Sequence, residues 1–110
     1  LVENAAKIGD YALQRLNQLK AVHPSIGDVR GRGFLIGVEL VLDRESKRAG
    51  NDLAEDVFYR CLDKGLSFKI TMGNVLTLSP PLNLTRVQMD AALEAIDTSL
   101  GEAEKALGLS

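Results

Sequence analysis

The stretch Asp28–Leu42, D-V-R-G-R-G-F-L-I-G-V-E-L-V-L, constrains this chain more than any other, because it couples closely spaced glycines to an apolar run from Phe34 to Leu42. A run this short, bounded by turn signals, cannot span a bilayer and fits a strand shielded from water on both faces. Side chains alternate along a strand, so Phe34, Ile36, Val38 and Leu40 share one face and Leu35, Gly37, Glu39 and Val41 the other. Glu39 is the odd member. A carboxylate in such a run is expected near the strand's solvated end or paired with an arginine, ahead of any catalytic role. Gly31 and Gly33 flank Arg32 and allow a sharp turn or bulge, and Asp28–Gly31 can pair as a second, short strand.

The flanking segments read as covers for this strand. From Leu1 to about Val22, Ala5, Ile8, Ala12, Leu16 and Leu19 recur at helical spacing, and His23-Pro24 closes the helix because proline disfavours the α conformation before it. His23 is expected to be a surface or capping residue there. A turn follows at Ser25-Ile26-Gly27, and Asp43–Asn51 reads as a solvated loop, with no apolar residue larger than alanine. Ala54, Val57, Phe58, Cys61 and Leu62 then form a second helical stripe, with Asn51 or Asp52 as the cap and Gly65 where a left-handed residue ends a helix. Leu66–Ile70 and Val75–Ser79 are β-favouring runs joined by a glycine-containing turn, a hairpin pattern. Pro80-Pro81 stops the second run. Thr85 and Gln88 have the spacing of a capping box, opening a helix with Met89, Ala92, Leu93, Ile96, Leu100, Ala103 and Leu107 on one face and a frayed end.

The order helix, strands, helix, hairpin, helix predicts an α+β fold: one domain over residues 1–110, with a small, mostly antiparallel sheet of 3–4 strands and helices packed on one face. A strand apolar on both faces needs a second cover, and 110 residues give material for one modest core. A partner domain or subunit is expected on the other face. The first residue is not Met and the helix begins at once, as in a domain cut from a longer chain.

Composition and motif tests remove several function classes. A net charge of −2 with scattered Lys and Arg, and few aromatics, offers nucleic acid neither a basic stripe nor a stacking platform. One cysteine allows no internal disulfide, and no apolar span reaches membrane length, so no membrane partner and a cytoplasmic location are expected. Gly31-Arg32-Gly33 fails as a dinucleotide fingerprint, which needs a strand before it, a helix after it and a third glycine three residues on. One His and one Cys give no metal cluster. Cys61, on the apolar stripe, is expected to be a packed thiol. Lys69 is the one lysine in an apolar run; a desolvated lysine can form a Schiff base, but a stem lying on the strand with the ammonium in water is the simpler expectation. The residues alone contain no complete catalytic constellation.

Three segments together carry a resemblance. L-V-E-N-A-A-K-I-G at 1–9 leading to L-Q-R-L-N-Q-L at 13–19, V-R-G-R-G-F-L-I-G-V-E-L at 29–40, and V-L-T-L-S-P-P-L at 75–82 with a following T-x-x-Q-M-D helix start, in this order and spacing, resemble the C-terminal small domain of class III (subgroup II, omega-type) pyridoxal-phosphate-dependent aminotransferases. The resemblance implies a homodimeric parent enzyme with a large domain that holds pyridoxal 5′-phosphate. It implies that the Schiff-base lysine and the other cofactor-binding residues lie in that large domain, so this chain alone would bind no cofactor and be inactive. The implied reaction exchanges an amino group between an amine or amino acid and a keto acid. Decarboxylase, racemase and lyase members share the same domain, and a stand-alone α+β interaction module is the reading from a different class.

The resemblance also implies where substrate would lie: along strand 75–79 and the Ser79-Pro80-Pro81 corner, with Thr77, Ser79 and Lys69 as candidate substrate-binding residues. Members that act on α-amino acids commonly carry an Arg two residues before the Ser/Ala-Pro-Pro element, where it can take a carboxylate in a bidentate pair. Thr77 stands there in this chain. A hydroxyl brings no charge, which tilts the expectation toward amine or ω-amino-acid substrates, with Lys69, Arg32 or an Arg of the large domain as substitute cations.

Overall fold

The computed structural model describes residues 1–109, and among them the elements run α1 (Val2–Val22), β1 (Ile26–Arg32), β2 (Leu35–Asp43), β3 (Arg48–Ala49), α2 (Asn51–Asp63), β4 (Lys69–Thr71), β5 (Val75–Leu78) and α3 (Arg86–Ala106). The sheet is antiparallel in the order β1-β2-β5-β4, with β3 pairing the C-terminal end of β2. The fold is α+β, as the pattern predicts, with β2 at its centre.

The expected inward face of β2 is the core. Phe34, Ile36, Val38 and Leu40 are buried there with Leu76 and Leu78 of β5, against Leu16 of α1, Val57 of α2 and Ile96 of α3. Each such side chain withdrawn from water contributes about 1.5–3 kcal/mol, so this single layer dominates stability. Among the described residues no helix covers the opposite face, where Leu35 remains 63% exposed although Val41 and Val75 are buried.

Two of the resembling segments meet through glycine. A Cβ at Gly9 of α1 would lie 2.1 Å from the carbonyl oxygen of Gly33, inside any permitted contact distance, so the helix rests directly on the backbone of the β1–β2 turn. Gly33 itself has φ +56, the left-handed region that turn requires, with open space around its α-carbon.

Helix ends follow the expected chemistry with two corrections. At α3 the capping box is complete: Thr85 Oγ1 accepts from Gln88 N at 3.2 Å and Gln88 Oε1 accepts from Thr85 N at 2.9 Å. Gly65 (φ +87) ends α2, where Leu66 N donates to Cys61 O and Gly65 N to Leu62 O. The cap at the start of α2 is Gly50, without a side-chain bond; Asn51, expected as a cap, is already helical. The fraying expected after α3 is not found, since Gly108 (φ +73) repeats the same pair of closing bonds through Leu109 N to Glu104 O and Gly108 N to Lys105 O. Ser110 lies outside the described residues.

The strands differ from expectation in three places. Ile26 and Gly27, read as a turn, belong to β1, because Ile26 is fully buried and pairs with Leu40. The expected loop at 43–51 contains β3, which makes five strands where 3–4 were expected. Asp43 accepts from the backbone of Glu45 and Ser46 and reverses the chain, and Ala49 then pairs with Val41. Both β3 residues are exposed, so no apolar pattern marked them. The hairpin is shorter than its apolar runs, with Leu66 taken up in closing α2.

His23 caps α1, its backbone N–H donating to Leu19 O at 2.7 Å, so of the two expected roles capping holds and surface exposure does not. It is buried, not at the surface, with Nδ1 2.6 Å from Glu104 Oε1 and Nε2 2.6 Å from Asp97 Oδ1. Ser25 Oγ donates to the second oxygen of buried Glu104, and Arg44 donates to the backbone oxygens of Lys20, His23 and Ile26. Both ring nitrogens face carboxylate oxygens, an arrangement that suits the imidazolium. Burial opposes that charge, but the hydrogen bonds and charges of Asp97 and Glu104 outweigh it and raise the pKa above its ordinary value.

Two expectations follow for stability. Gly9→Ala forces α1 off the turn and lowers stability by about 1–3 kcal/mol or more, whereas Gly33→Ala adds only left-handed strain of about 1–2 kcal/mol. Thermal unfolding of the two variants compares them, and an equal or smaller loss at Gly9 would contradict the tight contact. For His23, a raised folded pKa means the stabilisation is complete below the unfolded value of about 6.5 and disappears as pH rises through the folded value. The stability difference between the native chain and His23→Gln is therefore expected to be largest near pH 6 and to shrink toward pH 9; a pH-independent difference in chemical unfolding would refute the charged clamp.

Candidate functional site

The uncovered sheet face gathers the polar chemistry. Strand register aligns Arg30 of β1, Gly37 of β2, Thr77 of β5 and Lys69 of β4 in one row. Cross-strand partners project to the same side, so the row presents Arg30, Thr77 and Lys69 on the outer face, interrupted at Gly37 by the lack of a side chain. A groove of ≈ 440 Å³ lies over this gap, lined among others by Arg32, Leu35, Thr71, Met72, Val75 and Thr77.

Thr77 is half-buried, and its Oγ1 lies 2.9 Å from Oγ1 of Thr71 across the hairpin. One hydroxyl donates to the other, which leaves one proton of the pair available to a ligand. Lys69 is exposed on the edge strand directly opposite Thr77, in keeping with the simpler reading of the sequence. Ser79 falls elsewhere. It is exposed just past β5 and borders a different, largely apolar cavity of ≈ 330 Å³, whose walls include Leu16, Ile36, Leu66, Pro80 and Met89. The fold thus brings Thr77 and Lys69 together and separates Ser79 from them.

The charges on this face are unequal. Arg30 is held by Asp28 at 2.6 Å and by Glu39 at 3.3 Å, which push its pKa further up and consume its charge. Glu39 is therefore the arginine-paired carboxylate expected from its place in the strand. Arg32, one repeat along β1, lines the groove without an ion-pair partner among the described residues. Thr71, Met72 and the gap at Gly37 were not singled out from sequence, although a glycine on the outward-facing set of β2 is itself the mark of such a gap.

The other candidates are structural. Cys61 is fully buried, with Sγ 3.8 Å from Ala95 O, and burial pushes its thiol pKa up, away from nucleophilic use. Among the described residues no three His, Cys, Asp or Glu side chains converge as a metal site, and no helix is long and apolar enough to cross a membrane.

A phosphorylated cofactor held through a lysine needs a desolvated amine and free N–H groups for the phosphate. Lys69 is exposed, the start of α3 is closed by its own capping box, and the start of α2 carries Asp52. These residues do not fit a cofactor cradle.

Comparison with known proteins gives one consistent family. The model of Aminotransferase class-III matches residues 1–100. The chain is 39% identical to the leucine/methionine racemase of Thermococcus litoralis, covering 96% of this chain and 24% of that protein. It is 42% identical to the (R)-1-hydroxy-2-aminoethylphosphonate ammonia-lyase of Vibrio splendidus, covering 96% and 22%. It is also 42% identical to the mitochondrial alanine–glyoxylate aminotransferase 2 homolog 2 of Arabidopsis thaliana, covering 93% and 22%. The solved structure of the omega transaminase from Pseudomonas jessenii in complex with PMP superposes with a TM-score of 0.91 at 28% identity, over 99% of this chain and 24% of that one. The chain thus spans 22–24% of the length of these relatives.

Proposed function

The chain belongs to the class-III aminotransferase family, and from that membership we propose that it is the C-terminal small domain of an omega-type, pyridoxal-phosphate-dependent aminotransferase. The observation that carries the reading is the sheet face without a helix on it, where Arg30 and Thr77 flank Gly37 beneath a groove and Lys69 stands beyond Thr77, while three helices cover the other face. A face with Leu35 63% and Met72 87% exposed calls for a cover, and the large cofactor domain of the same protein is the proposed one. The reading includes a homodimer and a cytoplasmic location.

Bound pyridoxal phosphate would supply the electron sink that lets an amino group move between an amine or amino acid and a keto acid. The misfit of the described residues to a cofactor cradle supports assigning that cofactor, and its lysine, to the large domain. What this chain contributes is a wall of the substrate site. Thr77 and Thr71 offer a hydroxyl proton, Leu35 and Met72 offer apolar surface, and Lys69 adds charge at the rim. On this reading the 110 residues alone are inactive.

Racemisation or elimination on the same scaffold is the second reading, favoured by the names of the racemase and ammonia-lyase relatives at 39% and 42% identity. Reaction type depends on groups around the cofactor, which this reading assigns to the large domain.

The complete protein is expected to be yellow when purified with the cofactor and to convert pyruvate to alanine with an amine donor. A colourless protein that takes up no cofactor would sink the enzyme reading, and racemisation without net transfer would select the second. Within that enzyme, Thr77→Arg is expected to raise kcat/KM for α-carboxylate donors roughly tenfold, the value of exchanging a neutral for a charge-assisted hydrogen bond. The longer side chain would lie over Gly37, which has no side chain of its own and is bordered by those of Val75 and Arg30. Unchanged donor preference would remove Thr77 from substrate recognition.

A further inference from the structure

We propose that Arg32 is the anion receptor of the groove: its guanidinium takes the carboxylate of the substrate, and the Thr77–Thr71 hydroxyl pair donates to the same group. This rests on the reading of the groove as a substrate wall and names the residue that sets its specificity.

Three cations stand on this face, and their surroundings rank them. Arg30 already holds two carboxylates, at 2.6 Å and 3.3 Å, and has no charge to offer. Lys69 lies outside the lining of the groove, on the solvent edge of the sheet. Arg32 lines the groove and has no ion-pair partner among the described residues.

Placement strengthens the choice. Arg32 pairs with Leu35 at the last rung of β1, and the turn that follows is pinned by Gly33 against Gly9 of α1. The base of the side chain is therefore fixed, which lowers the cost of ordering it on a ligand. Two strand spacings and one side-chain repeat put Arg32 and Thr77 about 12 Å apart at Cα, a gap that an extended arginine and one carboxylate can bridge. The direction of the field is set as well. Asp28 and Glu39 lie one side-chain repeat beyond the row of Arg30 and Thr77, on the side away from Arg32, so an anion is repelled from that end and drawn toward the Arg32 end. Leu35 lies beside Arg32, while Val75 and Met72 line the groove on the other side of Thr77, so an occupant with its acid group between Arg32 and Thr77 extends a short apolar body along them. Such a ligand is an apolar α-amino or keto acid. The absence of a guanidinium at position 77 then does not deprive the site of a carboxylate partner.

The test uses the complete enzyme with two donors of one carbon skeleton, an apolar amino acid and the amine that lacks its carboxylate. In Arg32→Gln, kcat/KM for the amino acid is expected to fall roughly 10- to 100-fold, chiefly through KM, while the amine stays within about twofold. Arg32→Lys should lie between, and Thr77→Arg added to Arg32→Gln should recover part of the loss. Calorimetric binding of a short alkyl carboxylate gives a readout independent of turnover and should weaken by a similar factor. Equal losses for both donors with a lowered unfolding temperature would overturn the proposal and give Arg32 to an acidic side chain elsewhere in the protein. Unchanged carboxylate binding would also overturn it. An enzyme that binds the carboxylate through Arg32 but transfers no amino group would defeat the proposed reaction and leave this assignment standing.

Discussion

The contact of Gly9 with Gly33 is the constraint on which the rest of the arrangement depends. Helices ordinarily meet sheets through side chains, at about 10 Å between layers, but here the helix backbone rests on the turn itself, with the hypothetical Cβ only 2.1 Å from a carbonyl oxygen. That proximity sets the height of α1 over β1 and β2, and so the depth of the core that Ala12 and Leu16 fill. It also pins the turn through which β2 enters the centre of the sheet. Two motifs that look independent along the chain are the two halves of one joint.

From that joint the asymmetry of the domain follows. All three helices lie on one face, where α1 packs on β1 and α3, and α2 packs on α3 and β2. The ends of α1 and α3 are tied by His23 between Asp97 and Glu104, while Tyr11 donates to Asp90 nearer their other ends. Every buried polar link named here is on the helical side. The outer face has instead a surface salt bridge, a threonine pair and a glycine gap. Exposed ion pairs of the Arg30–Glu39 kind contribute about 1 kcal/mol or less, so that face is nearly free to be shaped by what binds it.

How much of this could be read from residues alone depends on whether the determining contact is local. The central strand, the three helices, the capping box at Thr85 and the role of Gly65 are set by spacing within a few residues, and they stand where periodicity put them. β3 is two exposed residues held by backbone pairing to β2, and backbone pairing leaves no mark in side-chain type. His23 carried the local signature of a helix end, and only the return of α3, 74 and 81 residues later, buries it between two acids. The site divides in the same way. Thr77 and Lys69 could be named from their strands, but their being opposite one another, with Gly37 beside Thr77, is a matter of register between strands distant in sequence. Ser79 was grouped with them through the resemblance, and past the end of β5 it borders a different cavity.

A sheet with one helix-covered face and one outer face allows outward positions to change while the fold persists. Thr77 lies on the outer side of β5, whereas its neighbours Leu76 and Leu78 point inward and are buried. Exchanging threonine for arginine at position 77 therefore alters no core contact, and the alternation of the strand insulates stability from specificity. Arg32 has the same freedom on β1, since the side chain leaves the sheet beside the groove while its neighbour Gly33 supplies the left-handed turn. Cation placement can then shift between strands, from the position opposite Gly37 to the end of β1, with the groove and its apolar walls unchanged. What this arrangement holds fixed is the joint of α1 with the turn, and what it leaves free to change faces outward.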